Sequence, residues 1–231
     1  MPAPIAAWTH QFGSPAWDRA NGVTVDRQGN IIVAGATQGA LPGQTLGGDW
    51  DAYLKKLSPA GAELWTSQFG SPAPDEALAL AVDGAGNIFV AGSTDGALPG
   101  QTRAGLNDAF ARKLSPAGAE IWTVQFGTPL SDEAFGIAVD RTGNAFMAGI
   151  TEATLPGQTS AGAYDAFVRK LSPAGVELWT RQFGSPESEA ANGVALDGSG
   201  NIFVVGHTYG AFPGYANAGS WDAFVVRLNQ P

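Results

Sequence analysis

No cysteine occurs among the 231 residues, which excludes disulfides, thiolate nucleophiles and cysteine metal sites. Histidine is scarce, at two residues, and 12 Lys plus Arg face 21 Asp plus Glu, a net charge of −9. Such a surface repels phosphate, and no basic cluster is present to release counterions from a nucleic acid or to dock on anionic lipid, so neither nucleic acid nor membrane is expected as a partner. Charged residues make up only 14%, against roughly 25% in an average globular domain. No run approaches the roughly 20 apolar residues that cross a bilayer. Residues 1–10 have neither the basic stretch nor the apolar core of an export signal, so a soluble chain without a leader is expected.

The chain does have 44% apolar residues, 32 Gly and 15 Pro. Apolar content of that size fills a core, and the Gly and Pro mark many turns, so one all-β domain over residues 1–231 is expected.

Repetition organises everything else. The motif Trp-Thr-x-Gln-Phe-Gly starts at Trp8, Trp65, Trp122 and Trp179, an uninterrupted 57-residue period. Asp26, Gly35, Pro42 and Asp51 recur on the same spacing. Within the second unit, residues 78–82, 88–92, 109–114 and 120–126 have the Val, Ile, Phe and Trp content and the Gly, Pro, Asn and Asp flanks of strands. Tight turns at residues 83–87 and 115–118 alternate with long links at 93–108 and 70–77. Four antiparallel strands so connected place both long links at one end, giving a loop-rich face. One such sheet, apolar on both sides, cannot bury itself, whereas sheets standing around an axis cover each other, as in a β-propeller. The blade units start near residues 8, 65, 122 and 179.

The chain opens on an outermost run, residues 8–12, and its last unit stops after the third run. The N-terminal strand is therefore expected to complete the C-terminal blade, closing a four-bladed ring without a free edge. The alternative is an eight-bladed ring from two chains that exchange terminal strands, so the expected state is a monomer or a two-fold homodimer. Bulky residues between blades, the repeating Trp and Tyr53, Phe110, Phe167 and Phe224, suit the wider ring.

The unit Gly193-Val-Ala-Leu-Asp197, Gly200-Asn-Ile-Phe-Val-Val-Gly206 and Asp222-Ala-Phe-Val-Val-Arg-Leu228 is similar to the SBBP repeat of bacterial proteins, and the resemblance extends over nearly the whole chain. It implies propeller blades, rings wider than four blades, and an extracellular or cell-surface setting. It implies no particular activity.

Three acidic columns and one aromatic set are candidate sites. Asp18, Asp75, Asp132 and Glu189 precede the innermost strands near the channel mouth, where converging carboxylates would need protons or a cation, and oxygen ligands suit Ca²⁺ or Mg²⁺. The competing reading is that each accepts hydrogen bonds from its own loop. Asp26, Asp83, Asp140 and Asp197 open the Asp-x-x-Gly-Asn turns. Asp51, Asp108, Asp165 and Asp222 are preceded by Trp50, Asn107, Tyr164 and Trp221, and an aromatic beside a carboxylate can stack a sugar and accept its hydroxyls. In the last unit the Leu-Pro-Gly-Gln-Thr loop becomes Phe212-Pro-Gly-Tyr-Ala216, which with Tyr209, Phe212 and Tyr215 makes that blade the most aromatic. His10 and His207 stand in columns occupied elsewhere by other residue types, and no catalytic residue is assigned. The expected function is a binding or scaffold module contacting a protein or glycan through the loop-rich face. A lectin is the first alternative, a propeller lyase or hydrolase the second.

Overall fold

The computed structural model describes residues 7–230, which form fifteen β-strands and no helix. The first blade is β1 (Asp18–Val25), β2 (Ile31–Thr37), β3 (Asp51–Leu57) and β4 (Glu63–Phe69). The second is β5 (Asp75–Val82), β6 (Ile88–Thr94), β7 (Asp108–Leu114) and β8 (Glu120–Phe126). The third is β9 (Asp132–Val139), β10 (Ala145–Thr151), β11 (Asp165–Leu171) and β12 (Glu177–Phe183). The fourth is β13 (Glu189–Leu196), β14 (Ile202–Thr208) and β15 (Asp222–Leu228). Each sheet is an antiparallel meander in chain order, and the units are blades of a β-propeller.

The tight turns between the first and second strands are set by the Asp-x-x-Gly-Asn column. The Asp26 carboxylate accepts the N–H groups of Gln28 and Asn30 and the Asn30 side-chain amide, each at 2.9 Å. Lys56 adds its ammonium at 2.9 Å. Burial works against this charge, but the bonds from Asn30 and Lys56 prevail and hold the Asp26 carboxyl at about 2. Asp83, Asp140 and Asp197 repeat the turn.

The core lies between the blades. One cluster joins Ile32, Leu54 and Phe69 to Ile88, Val90 and Phe110. A second joins Phe89 and Ala111 to Met147 and Phe167, and a third joins Phe146 and Val168 to Val204 and Phe224. Each blade thus buries its flat sides only by having neighbours. Innermost strands pack in the same succession, β1 on β5, β5 on β9 and β9 on β13. Gly92 permits a close crossing beside the β5 bulge, since a Cβ there would overlap the Glu76 carbonyl oxygen.

Outer strands are stapled to the following blade by the repeated Trp. Trp65 lies against Gly118, whose φ of +83° only glycine adopts readily, and Trp65 Nε1 donates to the Pro116 carbonyl at 3.2 Å. Trp122 does the same to Pro173 at 3.0 Å. A second link is a buried cation beneath the preceding blade's Phe. The Arg112 guanidinium lies 3.8 Å from the Phe69 ring centroid and that of Arg169 lies 3.6 Å from Phe126. Glu120 and Glu177 neutralise them at 3.5 and 3.3 Å.

The expected completion of the fourth blade within the chain is corrected by the structure. The fourth sheet has three strands, and residues 8–12 belong to none. That segment instead lies on the first blade, in the place an outer strand of a preceding blade would take. Trp8 Nε1 donates to the Pro59 carbonyl at 3.2 Å, Phe12 packs edge-on to Tyr53, and the Lys55 ammonium sits 4.7 Å from the Phe12 ring. Every one of these contacts copies one made by β4 on the second blade. Among the described residues β1 does not pack on β13 as the other inner strands pack on each other, so the four blades form an open arc. The physical reason is that residues 8–12 are fixed by the blade that follows them, which lies at the opposite end of the arc from the free edge of β15.

Candidate functional site

The loop-rich end carries the starts of the first and third strands of every blade. Asp18 accepts from the Ser14 N–H at 2.8 Å and the Thr37 hydroxyl at 2.5 Å. Asp75 accepts from Ser71 N–H at 2.5 Å, Asp132 from Thr128 N–H at 2.5 Å, and Glu189 from Ser185 N–H at 2.6 Å and the Thr208 hydroxyl at 2.5 Å. Each carboxylate closes its own loop, and the four are not brought together. Among the described residues no three acidic or imidazole groups converge as a cation would require.

What the structure does bring together is this column with the third one, in pairs across each blade boundary. Asp51 Oδ1 and Asp75 Oδ2 lie 2.5 and 2.7 Å from the point a Gly70 Cβ would occupy, and Asp108 and Asp132 flank Gly127 at 2.7 and 2.8 Å. Asp165 and Glu189 flank Gly184 in the same way. Burial, with the neighbouring Asp adding its charge, pushes the Asp75 and Asp132 carboxyls above the ordinary range.

The expected aromatic–carboxylate clamps do not form as units. Successive residues of a strand point to opposite sides, so Asp51 and Asp165 turn into their loops, accepting from Gln68 Nε2 at 2.9 Å and Gln182 Nε2 at 2.7 Å. Asp222 accepts from Ala218 N–H at 2.7 Å. Trp50 does not join the other aromatics, and the Arg19 guanidinium lies 5.0 Å over its ring. Tyr164 and Trp221, by contrast, converge with Tyr209 on one cavity of about 420 Å³ between the third and fourth blades, floored by Phe135 and Ile150 and edged by Asn192 and His207. Trp221 lies 4.0 Å from His207 and 3.7 Å from Tyr209, ring centre to ring centre. Burial, with Glu152 nearby, lifts the Tyr164 phenol above its ordinary value, so it remains a neutral hydrogen-bond donor.

Phe212 and Tyr215 do not join this cavity. Phe212 packs on Phe183 and Phe224 and, with the largely exposed Tyr215, lines a separate outer cavity of about 230 Å³. Two cavity residues went unassigned in the sequence. His207 Nδ1 takes the Asn192 side-chain amide at 3.0 Å, which places the ring proton on Nε2. The available signal was that Asn192 and His207 face each other across two adjacent strands, since Ala190 pairs with His207. The buried cations Lys55, Arg112 and Arg169 were legible as a Lys/Arg column inside an apolar strand.

The fold and this face define a repeat-built β-propeller protein. The SBBP beta-propeller repeat matches residues 7–42, 64–99, 121–154 and 178–213, and the chain belongs to that family. It is 30% identical over 174 residues to "Regulatory protein FlaEY" of Caulobacter vibrioides, a match covering 69% of this chain and 18% of that protein. It is 23% identical over 215 residues to an uncharacterised WD repeat-containing protein of Acanthamoeba polyphaga mimivirus, covering 76% and 15%. The chain therefore spans less than a fifth of the length of these relatives. A solved structure of a protein of unknown function from Bacteroides caccae aligns with a TM-score of 0.48 at 18% identity, over 81% of this chain and 53% of that one.

Proposed function

We propose that the chain is a binding module whose contact surface is the loop-rich face, centred on the cavity between the third and fourth blades, and that its ligand is a protein segment inserting an aromatic or other flat side chain. One observation carries this reading. The repeat makes the three blade boundaries alike, yet among the described residues only here do aromatic rings, those of Tyr164, Tyr209 and Trp221, surround a polar edge, His207 and Asn192. Apolar walls with a few fixed polar groups are the usual composition of a ligand pocket. The names of the relatives, a regulatory protein and a WD repeat-containing protein, agree with contact to other proteins.

A glycan is the second reading, supported by the same rings, which can stack a pyranose while His207 Nε2–H and the Tyr209 hydroxyl meet its hydroxyls. Peptide-display and glycan-array binding of the unaltered protein, with Trp221→Ala and Tyr164→Ala in parallel, tests both. Aromatic-bearing peptides retained by the unaltered protein and lost by both variants support the first reading. The same pattern on glycans supports the second, and ligands held equally well by the variants would sink the cavity as the contact site.

A further inference from the structure

We infer that the flat side chain taken by the cavity between the third and fourth blades is the guanidinium of an arginine in a partner protein, stacked on Tyr164 and paired with Glu133 and Glu152. This rests on the reading of that cavity as a protein-contact site and narrows it to one side chain.

The first blade boundary shows the arrangement complete. The Arg19 guanidinium lies 5.0 Å over the Trp50 ring and donates to the Glu76 carboxylate of the second blade, so ring, cation and carboxylate all come from the chain. Two repeats later the same three positions are Glu133, Tyr164 and Ala190. A ring and a carboxylate are kept, the cation is gone, and the residue across the boundary is cut back to a methyl group. Ala190 lines the cavity together with Tyr164, so the space that two long side chains span at the first boundary is open at the third. At the middle boundary Asn107 stands in place of the ring and donates to Asp95 at 2.7 Å, which leaves no surface for stacking.

The charges left around the cavity are negative. Glu133 pairs across β9 and β10 with Ile150 of the cavity floor, and Glu133 and Glu152 both act on the Tyr164 phenol. Among the described residues no ion pair uses either carboxylate, and no lysine or arginine lines the cavity. Burial and the Asp95 charge push the Glu133 carboxyl above its ordinary range, as happens to a partly buried carboxylate with no cation beside it. The molecule itself shows which cation suits a ring and a glutamate together. Arg112 lies on Phe69 with Glu120, and Arg169 on Phe126 with Glu177, at 3.8 and 3.6 Å from the ring centres. A guanidinium is flat, stacks on a ring face and forks its donors to carboxylates, whereas an ammonium is a strongly hydrated point charge. The net charge of −9 draws such a side chain in.

Blocked glycine peptides carrying one central arginine, citrulline, lysine or phenylalanine, titrated against the protein by NMR, give the test. Citrulline keeps the shape of arginine without its charge. The arginine peptide is expected to bind, and the citrulline peptide to bind about tenfold more weakly or not at all. Glu133→Gln should lower arginine binding about fivefold. Ala190→Arg rebuilds the Arg19–Glu76 pair with its ends exchanged, so it should fill the cavity from within and abolish uptake of the peptide while the circular dichroism melt is kept. Should that variant not fold, Glu133→Gln decides. Arginine held no better than citrulline or lysine, or held equally by Glu133→Gln, overturns the guanidinium. If phenylalanine is held instead and lost in Tyr164→Ala, the guanidinium falls and the contact site stands. No peptide held, or every peptide held unchanged by Tyr164→Ala, removes both together.

Discussion

The middle of the arc and its two ends are built from the same repeated strand, yet they meet solvent differently. The strand β7 is buried along its whole length, whereas β15 is exposed at alternate positions. Their sequences, Asp-Ala-Phe-Ala-Arg-Lys-Leu and Asp-Ala-Phe-Val-Val-Arg-Leu, are equally apolar on the covered side. Burial in this molecule is therefore conferred by the neighbouring blade rather than by the strand itself. A flat four-stranded sheet has no interior of its own, and all the hydrophobic stabilisation lies at boundaries.

This comparison is broken most severely by placing one charge at equivalent positions. Ala111→Asp buries an unpaired carboxylate between the second and third blades and should cost about 4 kcal/mol or more, enough to prevent folding. Val225→Asp, at the exposed end, should leave the thermal unfolding of the chain within a few degrees of the unaltered protein. Equal damage from both, read by circular dichroism melts, would contradict the role given to neighbours.

Gly92→Ala should be next in size, about 3 kcal/mol, because the overlapping atom is the Glu76 backbone oxygen rather than a movable side chain. A urea midpoint unchanged by this substitution would show that the inner strand can relax away from the crossing.

Gln125→Ala and Gln11→Ala sharpen the contrast at intermediate size. Gln125 serves Leu98 N–H, the Gly96 carbonyl and Asp108 at once, and its loss should cost about 2 kcal/mol. Among the described residues Gln11 makes no such bonds, so its replacement should leave the denaturation midpoint nearly unchanged.

Acid should act in two opposed steps, the smallest effect. Asp75 and Asp132 are held above their ordinary values by burial, so the folded state takes up their protons first and stability rises as pH falls from neutral through that raised range. Asp26, held at about 2, contributes stability that is present above the unfolded value near 4 and is lost as pH falls toward 2. Melting temperature should thus pass through a maximum on the acid side of neutral. A monotonic fall from pH 7 downward would contradict the buried carboxylate pairs.

Much of this was legible in the residues. The 57-residue spacing gives the blade count, and Gly and Asn after each Asp give the turn that Asp26 organises. Strand limits came close, although the inner strands begin earlier than their apolar run suggests, because Asp75 pairs with Thr94 before the first buried methyl. The closure of the arc was not legible, since a repeat records what lies beside each blade but not the angle between blades. Nor was the cavity, because His207 and Asn192 are ordinary in isolation and become a polar edge only when Tyr164, one blade earlier, and Trp221 approach them. Pairing of the Asp51 and Asp75 columns was hidden for a similar reason. They are 24 residues apart in different blades, and only the boundary at Gly70 joins them.

Amide hydrogen exchange of the unaltered chain, resolved strand by strand, measures most directly the claim that burial is conferred by the neighbouring blade. Slow exchange along β7, with faster exchange along β15, is the predicted result. Equal protection of the two strands would contradict it, because their sequences alone would then account for their protection.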